Sequence, residues 1–398
     1  MIKVKFICSY LLIILLSCCV DEKKNEVGAI ISLDLLKKYV DRFNENDNEL
    51  YKQYISNEEA FPFLSKNIPI IDLPDKVIEE TYYFRWWTYR KHIKNTDDGF
   101  VITEFLPDVY WSKKHNTINC PAAHHIYEGR WLRDSQYISD YINFWLNNSK
   151  DGIRQYSFWV ADATLAFNSI HRNDSILSKQ LGPLINNYNE WENTRKDSDK
   201  SLFWQYDTND GMEFTASGRI LNNKIEKFGV EATRPTINSY MYGDAKAISK
   251  ISLITGNLSK SQEFENKAIK IKEELQKRLW NNDLNYFTVL PKDYDKTTKP
   301  INVRELIGYV PWYFNLPDDN VKYALAWKKI KDSSGFAAPF GLTVTEQSHP
   351  FFKISYEGHE CQWNGPSWPF ATTQTLKAMA NFLNNYSNNK TISKQDYF

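Results

Sequence analysis

Along most of this chain, apolar residues return every three or four positions and almost nowhere every two, which commits it to helices. Residues 153–173 set Tyr156, Trp159, Val160, Ala163, Phe167 and Ile170 on one helical face. Asn238 to Thr255 repeats the pattern through Met241, Ala245, Ile248 and Ile251, and Gly256 supplies a stop. Ser259 and Gln262 read as a capping box, after which Phe264, Ala268, Ile271, Leu275 and Leu279 share a side. Pro369 opens another helix through Leu376 and Leu383, with Ser367 as its cap. Short strands are predicted only at Gly99–Thr103 and Asn285–Leu290. The expectation is an all-α domain in which long helices alternate with aromatic-rich loops.

The first residues follow other rules. Two lysines precede an apolar run from Phe6 to Leu16, then Ser17 and Cys18. A basic start, a short apolar core and a small residue before a cut make a secretory signal peptide. The run falls short of the roughly 20 apolar residues that a membrane-spanning helix needs. Leu15-Leu16-Ser17-Cys18 resembles a bacterial lipobox, in which the cysteine is acylated and becomes the mature N-terminus. The expected organisation is a lipoprotein signal peptide over 1–17, a tether and N-terminal region over 18–75, and a helical domain over 76–398. The expected place is the cell envelope, held to the lipid membrane by an acyl anchor on Cys18.

Lysine plus arginine and aspartate plus glutamate number 49 each, so no electrostatic footprint for nucleic acid exists. Beyond the leader only Cys120 and Cys361 remain, which suits two buried thiols better than a disulfide framework. Aromatic residues make up 15% of the chain, and many of the 13 tryptophans stand beside polar residues. Sugar rings offer apolar C–H faces edged by hydroxyls, so such platforms suit a carbohydrate ligand, as core filling also would.

Three loop segments concentrate the chemistry. His125 to Ser135 packs Glu128, Arg130, Trp131, Arg133 and Asp134 around Gly129. Asp210 to Arg219 sets Asp210 and Glu213 in a turn between helices. Gln362-Trp363-Asn364-Gly365-Pro366-Ser367-Trp368-Pro369 flanks a Gly-Pro turn with two tryptophans. In this order they resemble the (α/α)6 toroid glycosidases related to mannosylglycerate hydrolase, of the family 63 type. Arg133-Asp134-Ser135 is similar to that group's Arg-Asp substrate motif. Gly211-Met212-Glu213 is similar to its acid-bearing loop, and Trp363 to Pro369 to its tryptophan signature.

The resemblance implies a glycoside hydrolase with an inverting mechanism on α-linked sugars and no cofactor. It implies Glu213 as general acid with Asp210 beside it, and Trp131, Arg133, Asp134, Arg219, Trp363, Asn364 and Trp368 as substrate contacts. The family carries aspartate at the position of Glu213, and its base is a glutamate downstream of the tryptophan signature. This chain ends at Phe398, so the resemblance implies that the base and the last hairpin are missing, with Glu357 and Glu360 the first substitutes to consider.

The chemistry requires paired carboxyls. One protonated acid meets the leaving oxygen, while a carboxylate on the other face drives water, roughly 6.5–9.5 Å away in an inverting enzyme. Each assignment has a structural rival: Glu213 as a loop salt bridge, Arg133 and Asp134 as an ion pair at a helix start. Cys120 with His124 and His125, or His359 with Cys361, lacks four-ligand zinc spacing, so no metal is expected. Two other classes stand beside hydrolysis: a helical-toroid polysaccharide lyase using Tyr127, His125 and Arg130, and a glycan-binding lipoprotein without turnover.

Overall fold

The structure, a computed structural model, describes residues 31–222, 229–354 and 361–398. Cys18, Glu357, His359 and Glu360 lie outside the described residues. Helices α1 (Leu33–Glu45), α2 (Asn57–Asn67) and α3 (Lys76–Lys91) come first, followed by the hairpin of β1 (Ile93–Thr96) and β2 (Gly99–Ile102). Then come α4 (Ala122–Gly129), α5 (Gln136–Asn143), α6 (Val160–His171) and α7 (Asp174–Arg195). Strand β3 (Trp204–Tyr206), α8 (Ala216–Asn222) and β4 (Glu231–Thr233) lead into α9 (Pro235–Ile254) and α10 (Leu258–Arg278). The last part holds β5 (Trp280–Asn281), β6 (Tyr286–Phe287), β7 (Leu290–Pro291), α11 (Val310–Tyr313), α12 (Val321–Ala324), β8 (Ala337–Ala338), β9 (Gly341–Leu342), α13 (Pro369–Asn385) and α14 (Lys394–Tyr397).

Two rings of helices result. Helix α9 is buried from Pro235 through Ser252 except at Lys246 and Lys250, and its first turns are buried on every side. Helices α4, α6, α9, α11 and α13 follow one another around the inside, and α13 meets α4 where Phe370 packs on His124 and Lys377 lies over Tyr127. Helices α7 and α10 bury one face only, α10 through Phe264, Ala268, Ile271 and Leu275, so their outer faces can be charged. The result is an all-α toroid, as expected. One continuous core runs from Leu36 to Ile392 and takes in α1–α3 as well. Among the described residues no helix is long and apolar enough to cross a membrane.

Local expectations meet three corrections. The helix expected from residue 153 begins at Val160, because Ile153 belongs to a 3-10 turn and Trp159, at φ −105° and ψ 70°, is not helical. Helix α10 is capped by Asn257, whose side chain accepts from the Lys260 amide, two residues ahead of the expected Ser259. Trp368, not Ser367, flanks the start of α13, where Pro369 needs no amide acceptor. Gly256 does end α9: with φ of 80° it lets the Asn257 amide reach the Ser252 carbonyl at 2.7 Å. Cys120 is a buried thiol, and Cys361 is half-buried rather than buried.

Candidate active site at the loops entering the inner helices

Every inner helix is preceded by a loop at the same end of the toroid, and these loops carry the site. The acid loop is shaped by Asp207. Its Oδ1 accepts the Thr208 and Val230 amides at 2.9 and 2.8 Å, its Oδ2 accepts the Thr215 hydroxyl at 3.0 Å, and its carbonyl takes the Met212 amide. The turn passes through Gly211 at φ 75°, where a Cβ would stand 2.6 Å from the Cys120 sulfur. Phe214 also has positive φ, at 54°, a cost sustained by the buried bonds on either side.

Asp210 is not the open partner expected for Glu213. It is 1% exposed and bonds Arg234 Nε at 2.7 Å, and the Thr236 hydroxyl also donates to it. Burial lifts its carboxyl above the usual range while Arg234 opposes that shift. Asp210 therefore anchors the loop to the start of α9. Glu305 does the same from another loop: it is buried, its pKa is raised by desolvation, and it accepts the Ser217 amide at 3.0 Å.

Glu213 is half-buried and meets the tryptophan signature. The Trp363 backbone amide donates to the Glu213 carbonyl at 2.9 Å, and the Trp363 indole N–H to Glu213 Oε2 at 3.1 Å. Trp363 is buried beneath Trp368, ring on ring at 4.8 Å and 10°. Trp368 in turn donates its indole N–H to the Gln362 carbonyl at 2.9 Å. The Gly-Pro turn owes its glycine to packing, since a Cβ on Gly365 would lie 1.6 Å from the Lys353 carbonyl oxygen. Asn364 is buried and donates to the Phe351 carbonyl, and Arg219 is buried with Nη2 on Gln362 at 3.3 Å. Glu213, Trp363, Trp368, Asn364 and Arg219 thus gather, although Asn364 is spent on the scaffold.

Arg133, Asp134 and Trp131 do not join them. They follow the C-terminal end of α4, whereas Cys120, beside the acid loop, precedes its N-terminal end. Eight residues of helix separate the two by roughly 12 Å. Arg133 and Asp134 are exposed, their amides bond Asn67, and Asp134 accepts the Gln136 amide at 2.9 Å as α5 starts. Both residues have a local task in holding that turn. Of the trio named for lyase chemistry, Arg130 lies over the Tyr127 ring and Tyr127 donates to Asp162, while His125 faces Tyr141 instead.

Glu104 went unnoticed in the sequence, where it follows an unremarkable strand. Its outer edge is exposed, yet enough protein surrounds it that desolvation lifts its carboxyl. Glu104 and Glu213 both act on the same thiol: burial raises Cys120 most, then Glu104, then Glu213. Tyr156 stands in the same field, its hydroxyl pushed up to about 12 by burial first. Large exposed rings stand on loops tied to the acid loop and the tryptophan signature. Tyr110 is 95% exposed and Trp111 45%, on a loop tied to Gln155 and through it to Asn209 of the acid loop. Phe340 is 99% exposed at the tip of the β8–β9 hairpin, whose Gly341 abuts Ser367. Among the described residues no three His, Cys, Asp or Glu side chains converge as a metal cage would.

A two-ring helical toroid with a carboxyl and stacked tryptophans at the loops entering its inner ring defines the class of six-hairpin glycosidases. The domain model of the mannosylglycerate hydrolase MGH1-like glycoside hydrolases matches residues 114–398, and the chain belongs to that family. A solved structure named "Sialidase" is 39% identical with a TM-score of 0.85, covering 92% of this chain and 33% of that one. This chain therefore spans about one third of that protein's length. The family 63 mannosylglycerate hydrolase of Thermus thermophilus, solved with glucose, is 11% identical with a TM-score of 0.54, covering 70% of this chain and 83% of that one. A second Thermus thermophilus structure, of an uncharacterized conserved protein, gives the same 11% and 0.54 over 70% of this chain and 86% of that one. These two share the fold. No curated protein matches.

Proposed function

We propose that this chain hydrolyses glycosidic bonds at the mouth formed by the acid loop and the tryptophan signature, with Glu213 as general acid. The observation that carries the reading is the Trp363 indole bond to Glu213, which fixes the orientation of the carboxyl that gives a proton to the leaving group. Trp368, Tyr110, Trp111 and Phe340 supply apolar faces on which sugar rings can lie. Glu104 is the second carboxyl of this reading, activating water opposite Glu213 by the inverting route that the family resemblance implies. α-Linked oligosaccharides are the proposed substrates. The structure named "Sialidase" adds a sialoside as the first alternative.

The test is turnover by the purified chain of an aryl-glycoside and oligosaccharide panel, with the product anomer followed by proton NMR. Loss of turnover in both Glu213→Gln and Glu104→Gln with binding retained supports the pair. Full activity of Glu104→Gln removes it from the chemistry. A product absorbing in the ultraviolet as a new double bond would replace hydrolysis with elimination, and sugar binding without turnover would make the chain a glycan-binding protein.

We also propose that the chain reaches the cell envelope as a lipoprotein acylated on Cys18, on the strength of the leader sequence alone. Incorporation of a fatty-acid analogue should vanish in Cys18→Ala. Unchanged labelling would refute the lipobox.

A further inference from the structure

The end of the inner ring away from Glu213 holds a cluster that the proposed chemistry does not use. The Tyr127 ring carries two cations, the Arg130 guanidinium at 4.6 Å and the Lys377 ammonium at 4.8 Å from its centre. Lys377 also lies 4.9 Å from the Tyr313 ring, and Arg130 lies 5.2 Å from Trp131, which is 46% exposed. Among the described residues neither cation has a carboxylate within 4.0 Å, and Arg130 Nε is buried without a hydrogen-bond partner. Asp162 is the nearby anion, but its oxygen accepts the Tyr127 hydroxyl. Two positive groups are thus held half-buried together against one negative one. Mutual repulsion and desolvation both oppose that arrangement unless an anion comes to it.

The cluster is separate from the mouth. Lys377 lies eight residues into α13, roughly 12 Å below Pro369. Between the two levels runs an unbroken series of ring contacts: Trp363 to Phe370, Phe370 to His124, His124 to Trp159, Trp159 to Tyr313, and Tyr313 to Tyr127.

We infer that Arg130 and Lys377 form a second binding site, on the far end of the toroid, for the carboxylate of a sugar acid. The guanidinium fork can take a carboxylate through two parallel bonds, and the exposed Trp131 face beside it takes the C–H face of the sugar ring. Neutral sugars offer only hydroxyl oxygens there and no charge to offset the cations.

Saturation-transfer NMR on the full chain, with D-glucuronate and D-glucose as probes, tests the site. Glucuronate should give a saturable signal and glucose none at this site, with the glucuronate signal unchanged in Glu213→Gln, so that failure of the catalytic reading leaves this result standing. Arg130→Gln and Lys377→Met should each weaken glucuronate about ten-fold or more, the range for a bond to a charged group. Lys377→Met keeps the hydrophobic stem and tests the site even if Arg130→Gln does not fold. Equal signals from glucose and glucuronate, or glucuronate binding unmoved in Lys377→Met, would overturn the inference.

Discussion

The two ends of α4 carry similar-looking chemistry and differ in what the protein does with it. At the N-terminal end, Asp207, Asp210 and Glu305 are consumed by amides, hydroxyls and Arg234, and their work is to hold Glu213 and the tryptophans in place. At the C-terminal end, Arg133 and Asp134 are exposed and hold only a turn, while among the described residues Arg130 and Lys377 have no carboxylate within 4.0 Å. Charged residues near a glycine therefore say little until the depth and direction of each side chain are known. Buried ones at the mouth form the frame, and Glu213, the proposed acid, is only half-buried.

That contrast can be broken at several points. Glu213→Gln should cost about 10²–10⁴-fold or more in turnover on substrates with poor leaving groups, since glutamine cannot give a proton. Nitrophenyl glycosides should suffer less. Arg133→Ala under the same assay should change kcat/KM little, and an equal loss in both variants would show that the two ends share one substrate.

Asp210→Ala should destabilise the fold by about 3–5 kcal/mol in chemical denaturation, because it leaves Arg234 buried without its counter-charge. A variant that keeps wild-type stability and loses only activity would return Asp210 to the chemistry.

His124 gives a pH-dependent version of the same point. Burial lowers its pKa to about 4, against about 6.5 in an unfolded chain. The unfolded state thus takes up a proton first as pH falls. Stability is full above about pH 6.5 and declines between about 6.5 and 4, by up to about 3 kcal/mol, before levelling off. Thermal melts across this window should show the slope, and His124→Phe should flatten part of it. His125, lowered to about 3 by burial, adds a slope of the same sign that runs on to lower pH. Melts of His124→Phe that keep the full slope would contradict this assignment.

The smallest effect is expected at the far turn. Asp134→Ala should cost about 1 kcal/mol, the value of a lost helix-start bond, with kcat/KM intact. A drop in kcat/KM without a drop in stability would restore Asp134 as a substrate contact.

Periodicity by itself determined the all-helical architecture, because a helix needs only its own apolar stripe, and the stripes of α9, α10 and α13 are complete within their own segments. The tryptophan signature was legible as a Gly-Pro turn between two tryptophans, although the need for glycine at 365 comes from packing against the distant Lys353 carbonyl. Only the tertiary structure decided which loops share a mouth. It joined Glu213 to Trp363 across 150 positions and turned Asp210 inward to Arg234. It also placed Glu104, Glu213 and Asp210 where all three raise the buried Cys120 thiol electrostatically, and left Arg133 on the opposite end. A carboxyl's role depends on what desolvates and pairs it, and those neighbours come from helices far apart in the chain.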